Sequence, residues 1–152
     1  MSTEDTSGTS VPVDPPLDPR GVRFAAGVTT VVLALVLVSG SGWLAVAQAL
    51  VFALASFAGM RFAPYGLLYK AVVAPRLGPP TDREDAAPVR FSQTVGFVFT
   101  VVAAVGYLSG LTVLGVVATA FALLAAFLNA AFGFCLGCEM YGLLARARTA
   151  RA

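Results

Sequence analysis

The sequence predicts an all-α membrane protein, with four transmembrane helices arranged as two sequential hairpins and both termini cytoplasmic. Three observations carry this expectation. The 152-residue chain is 58% hydrophobic and 12% charged, with a mean hydropathy of +0.84, far more apolar than a soluble domain needs for its core. Its apolar residues fall into four runs, joined in pairs by short Ser-Gly turns. All ten basic residues fall on one side of the resulting topology.

Residues 1–19 hold Glu4, Asp5, Asp14 and Asp18 among prolines, Ser and Thr, without a basic residue or apolar periodicity, and read as a disordered acidic tail. The first span covers residues 23–39 and the second 43–60, separated by Ser39-Gly40-Ser41-Gly42. Their uninterrupted apolar cores correspond to roughly 23 and 27 Å of helix, just enough to cross a hydrocarbon layer when the small flanking residues contribute. A secretory leader competes for this region, since Arg20 and Arg23 precede the apolar stretch and Ala47-Gln48-Ala49 resembles a cleavage site. The basic residues lie far from Met1, however, and cleavage there would cut a second span.

Between the hairpins, in the loop 61–90, Pro64 opens and Pro75 closes a short segment that reads as an interfacial helix over 64–74. It sets Tyr65, Leu68, Tyr69 and Val72 on one face, and the mixed-charge stretch from Gly78 to Asp85 after it reads as a solvated linker. The third span covers 91–108, the turn Ser109-Gly110 follows, and the fourth covers 111–144. That last run exceeds what a bilayer requires, so it must tilt, bend or project. A basic tail, 147–152, ends the chain.

Arg20 and Arg23 precede the first span, five basic residues from Arg61 to Arg90 lie in the central loop, and Arg146, Arg148 and Arg151 follow the fourth span. The positive-inside rule places both termini and the loop in the cytoplasm and the uncharged turns outside, with Trp43 and Tyr107 at that outer interface. The net charge of +2 is too small to imply nucleic-acid binding. Absent isoleucine and a single lysine suggest a GC-rich bacterial source, and hence the plasma membrane.

The halves look like a parallel repeat. Arg23-Phe24 and Arg90-Phe91 open them, a Ser-Gly turn divides each, and YGLLYK (Tyr65–Lys70) and YGLLAR (Tyr141–Arg146) close them. The second half is longer between its turn and its YGLL motif, and the surplus holds NAAFGFCLGC.

Cys135 and Cys138 in that stretch are the only cysteines, and the chain has no histidine. They are the candidate redox or sulfur-carrying thiols. In a regular helix their Cβ atoms would stand about 5–6 Å apart, farther than a disulfide allows, but Gly133 and Gly137 make local unwinding cheap. The same glycines form a GxxxG pattern that suits close helix packing, including a homodimer through the Gly133/Gly137 face. Two small apolar fillers are the bland reading of the cysteines. Glu139 is a candidate proton acceptor in thiol exchange, and its alternative is to snorkel and pair with an arginine. Two thiolates suit a soft ion, but a structural zinc needs four ligands, so neither a metal nor a cofactor is assigned. Asn129, the only amide in the fourth span, either bonds across helices or lines a polar path.

LNAAFGFCLGCEMY (Leu128–Tyr141), DPRGVRFAAG (residues 18–27), APYGLL (63–68) and PRLGPP (75–80) together resemble the actinobacterial membrane family called domain of unknown function 4395, over about residues 17–146. The family has no established activity. The resemblance implies a link to sulfur metabolism through thioredoxin-like and sulfurtransferase genes that often neighbour its members, and it marks Cys135 and Cys138 as the conspicuous thiols. Quinone-coupled four-helix thiol oxidoreductases are an imperfect comparison, because they place their working cysteines outside; no quinone site is legible here.

Three functions are in play. The first is a thiol-dependent component of sulfur or redox metabolism, working with a cytoplasmic thioredoxin-like or sulfurtransferase partner. The others are a non-enzymatic membrane scaffold and a small transporter of a sulfur compound or soft metal. Whether the chain is an enzyme is left open by its residues.

Overall fold

The computed structural model describes residues 14–151. The first thirteen residues of the expected acidic tail lie outside them. Among the described residues there are six α-helices: α1 (Pro19–Ser39), α2 (Gly42–Ala53), α3 (Pro64–Val72), α4 (Ala86–Leu108), α5 (Thr112–Phe132) and α6 (Leu136–Arg151). A π-helical turn, Leu54–Ala58, extends α2, so the apolar helix runs from Gly42 to Ala58. No strand forms among the described residues.

Local sequence explains the boundaries. Asp18 caps α1, its carboxylate accepting the Arg20 backbone N–H at 3.0 Å, with Pro19 in the first turn where no N–H is missed. Gly40, at φ +62°, closes α1, and Ser41 immediately caps α2 by accepting the Leu44 N–H at 3.2 Å. Pro64 opens α3. Gly110, at φ +85°, supplies the second hairpin turn.

α1, α4 and α5, at 21, 23 and 21 residues, are long and apolar enough to cross a membrane, while Gly42–Ala58 is apolar and shorter. At 1.5 Å per residue that shorter helix spans about 26 Å, against about 32–35 Å for the others. Size sorting across the bundle points the same way. The buried core is built from small residues, Ala45, Ala103, Ala104 and Ala118 around Val36, whereas Val31, Leu35, Val38, Leu50, Val113 and Phe121 face outward. Water gives no reason to expose that much large apolar surface, but a lipid-facing bundle packs small groups inside and turns its bulk to the acyl chains. Thr100 and Thr119 are buried without penalty, because each hydroxyl donates to a carbonyl of its own helix.

The halves pack reciprocally. α1 lies along α5 and α4 lies along α2, so the first helix of each half rests on the second helix of the other. Each RF motif works across that division. Arg90 Nε donates to the Ser56 carbonyl at 2.6 Å, at the C-terminal end of the extended α2, and Arg23 reaches the Ala130 and Ala131 carbonyls at 3.3 and 3.4 Å near the end of α5. Both guanidinium groups therefore sit where helix carbonyls lack partners and the dipole is negative. The aromatic neighbours repeat as well: Phe24 meets Tyr69 with ring centroids 5.7 Å apart, and Phe91 meets Tyr141 at 5.8 Å. The two halves thus make equivalent contacts across their division.

Three expectations change in detail. Residues 14–18, assigned to the tail, are held in place: Asp14 accepts the Met60 N–H at 3.3 Å and stands 3.8 Å from Arg90, and Leu17 exchanges backbone hydrogen bonds with Glu84. The linker is thus strapped across the start of α1. The apolar face expected on α3 divides, because Tyr69 is buried against Gly21 and Phe24 while Leu67, Leu68 and Val72 face outward. Of the two interfacial aromatics, Trp43 is exposed, but Tyr107 turns inward between the hairpin turns, covering Gly115 and approaching Gly40.

Candidate functional site

The single span expected over 111–144 is two helices. Gly133, at φ +68°, adopts the left-handed conformation that ends α5, its N–H bonding to the Asn129 and Leu128 carbonyls. A side chain is disfavoured there, which explains a glycine without any helix–helix contact. Gly133 and Gly137 consequently do not form one helical stripe. Gly137 begins the next helix with its face occupied inside the chain, since a Cβ placed on it would lie 2.6 Å from Ser92 of α4. This geometry leaves the Gly133/Gly137 face unavailable as the dimer surface expected from GxxxG.

The break also decides the cysteine geometry. Cys135 stands at the N-cap of α6: its carbonyl accepts the Glu139 N–H at 3.1 Å and its Sγ accepts the Cys138 N–H at 3.2 Å. Cys138 is in the first turn, and the two are joined as a disulfide with a Cα–Cα distance of 5.2 Å. The backbone adjustment that a regular helix would have required is therefore built in upstream. Ser92 Oγ lies 3.6 Å from Cys135 Sγ, brought there by the close α4–α6 contact that Gly137 permits. Both cysteines are half-buried, and the exposed Phe134, Glu139 and Met140 surround them.

Glu139 sits in the first turn of α6, where a carboxylate complements the helix dipole. It forms no salt bridge among the described residues, so the expected pairing with an arginine is not found. No group of three or more His, Cys, Asp or Glu that would hold a metal occurs among the described residues.

A cavity of about 450 Å³ lies between the two halves and reaches Cys135. Phe52 and Phe99 line its apolar side, and Asp18, Lys70 and Arg83 line it at the basic end. Asn129 of α5 and Gln93 of α4 also line it, and neither amide side chain has a hydrogen-bond partner among the described residues. Tyr65, another lining residue, donates to Gln48 Oε1 at 2.7 Å, and burial raises its phenol above the usual value. Sequence reasoning singled out Asn129 but missed Gln93, Ser92 and the cavity itself, since nothing local announces which faces of six helices meet.

At the basic end Asp18 anchors a small network. Its carboxylate accepts from the Arg20 guanidinium at 3.1 Å and from the Tyr69 hydroxyl at 2.9 Å, tying α3 to α1. Burial opposes its charge most strongly, but the combined hydrogen bonds from Arg20 and Tyr69 outweigh burial and hold the carboxyl below its ordinary value. Arg20 also donates to the Gly78 carbonyl at 2.8 Å, fastening the linker to the same point.

Three membrane-length helices and a paired-cysteine centre at the N-terminus of a further helix define the class, a helical membrane-type protein with a two-cysteine site. The chain belongs to the family described as Domain of unknown function (DUF4395), whose model matches residues 17–146. No curated protein matches it. No solved structure matches it either.

Proposed function

We propose that this is a four-pass protein of a bacterial plasma membrane, with both termini and the 61–90 loop cytoplasmic, whose Cys135–Cys138 pair exchanges electrons or sulfane sulfur with a cytoplasmic thioredoxin-like or sulfurtransferase protein. The observation that carries the reading is the N-cap position of Cys135. A sulfur there faces the positive end of a 16-residue helix and already accepts a backbone N–H, so negative charge released onto it is stabilised.

The electron-transfer form of the reaction follows from that asymmetry. A partner thiolate attacks Cys138 Sγ, the S–S bond breaks, and the electron pair leaves on Cys135, where the helix N-terminus and the Ser92 hydroxyl receive it. A second partner thiol attacks the mixed disulfide at the partner's sulfur, releasing Cys138. The partner ends oxidised and the membrane pair reduced. In this reading the exposed Glu139, next to Cys138 in the chain, accepts the proton of an incoming thiol.

Differential alkylation of Cys135 and Cys138 in intact cells and in inverted vesicles tests sidedness and redox state together. Labelling after reduction is expected only when the basic end is accessible. Unchanged growth on thiosulfate and unchanged oxidant tolerance in cells carrying Cys135→Ser and Cys138→Ser would end the proposal.

A further inference from the structure

A pair that takes electrons from a partner must pass them on. The chain has no further cysteine to receive them, and no metal-binding cluster occurs among the described residues. The cavity supplies the missing half of the reaction. We propose that it binds a lipid-soluble quinone, which re-oxidises the Cys135–Cys138 dithiol from inside the bundle. The inference rests on the thiol-exchange reading above.

Three features select this ligand class. The volume of about 450 Å³ falls within the range of small-molecule sites, and the side lined by Phe52 and Phe99 suits a flat, neutral, apolar ring. Asn129 and Gln93 present to the same space amides with no hydrogen-bond partner among the described residues, on the two helices that flank the cysteine site. Both amides are half-buried near the basic end of their helices, where withdrawal from water is costly unless a hydrogen bond replaces it, and a ring carbonyl is the acceptor that apolar ligands of this kind bring. The third feature is the division between the sulfurs: Cys135 lines the cavity, Cys138 does not, and so the partner and the quinone approach different atoms.

The step balances without another reactant. The Cys135 thiolate adds to the quinone ring, forming an S–C bond. Cys138 then attacks Cys135 Sγ, the S–S bond forms and the S–C bond breaks, leaving its electron pair on the ring. The two thiol protons end on the two ring oxygens, so one dithiol becomes a disulfide and one quinone becomes a quinol.

The test uses the full chain in lipid nanodiscs, reduced and freed of reductant, with decylubiquinone as the probe because its substituted ring resists irreversible alkylation. Stoichiometric loss of quinone absorbance with regain of the disulfide is expected, with Asn129→Leu and Gln93→Leu each slowing this reaction about tenfold, the value of one hydrogen bond to the ligand. Exchange with a soluble dithiol is measured on the same samples, and each quinone rate is expressed relative to it. Cys135→Ser is expected to retain quinone binding, read as quenching of the tyrosine fluorescence that Tyr65→Phe and Tyr69→Phe remove, while losing turnover. Dithiol exchange without quinone reduction overturns this inference and leaves the proposed function standing. Loss of both overturns both. Quinone reduction at the same relative rate in Asn129→Leu, Gln93→Leu and wild type overturns the cavity as the site.

Discussion

Gly137 is the point of close contact between the cysteine-bearing helix and α4, and Gly137→Ala measures what that contact is worth. The added Cβ would stand 2.6 Å from the Ser92 Cβ and Oγ and 2.7 Å from its Cα. Rotating the serine cannot relieve a clash with Cβ and backbone, so α6 must retreat from α4 by about 0.8 Å to reach the 3.4 Å where ordinary contact begins. Over-packing of this kind costs about 1–3 kcal/mol. The same retreat carries Cys135 away from Ser92 and enlarges their 3.6 Å separation beyond hydrogen-bonding range. Two readouts follow: a lower midpoint in detergent-solubilised thermal unfolding, and a slower exchange of the Cys135–Cys138 pair with a soluble dithiol. Gly142→Ala on the same helix is the control, because nothing lies within 4 Å of its added Cβ and glycine is the poorer helix former by about 1 kcal/mol. Equal stability and equal exchange rates for Gly137→Ala and Gly142→Ala would refute the close α4–α6 packing on which the site geometry depends.

Arg90→Gln is expected to destabilise the bundle by about 1–3 kcal/mol, since it strips a charged donor from a half-buried helix end; Arg23→Gln, at an exposed position with longer bonds, should cost less, and denaturant unfolding of both variants checks the order. Gly133→Ala places a side chain in the left-handed region and should cost about 1–2 kcal/mol, read as a lower unfolding midpoint. The Asp18 carboxyl, held below its ordinary value in the fold, contributes stability that is present above its unfolded value of 3.8 and lost as the pH falls through the folded one. Hydrogen exchange of the α3 amides, corrected for intrinsic rates, should therefore accelerate in acid, and Tyr69→Phe should move that loosening to higher pH; pH-independent protection would contradict the network.

The sequence makes the helices visible and hides how they meet. Hairpin turns at Ser39–Gly42 and Ser109–Gly110 were legible because small and polar residues interrupt otherwise continuous apolar runs, and glycine at positive φ is the reason. The break at Gly133 was not. It lies in a stretch where the residues on both sides remain apolar, so hydropathy does not fall, and GxxxG describes a packing stripe and a helix terminus equally well. The signal that favours a terminus is the length of the run: 111–144 is too long for one crossing, and a left-handed glycine is an economical place to divide it. The cysteines were found by type and spacing, yet the N-cap position that gives them unequal chemistry depends on that missed break. The cavity was illegible for a different reason. Its walls come from both halves of the chain, and their juxtaposition follows from the reciprocal packing of α1 on α5 and α4 on α2.

That reciprocity constrains how the molecule assembles. A first hairpin emerging alone has no partner for Arg23, no donor for the Ser56 carbonyl and no covering for the face that α4 later occupies. Neither half is a finished domain, and the bundle closes only when the second hairpin has entered the bilayer. The arrangement is what two identical hairpins would adopt as a twofold dimer, each supplying an arginine to the other. The two-cysteine stretch is the part that breaks this correspondence, since it lies in the second half alone.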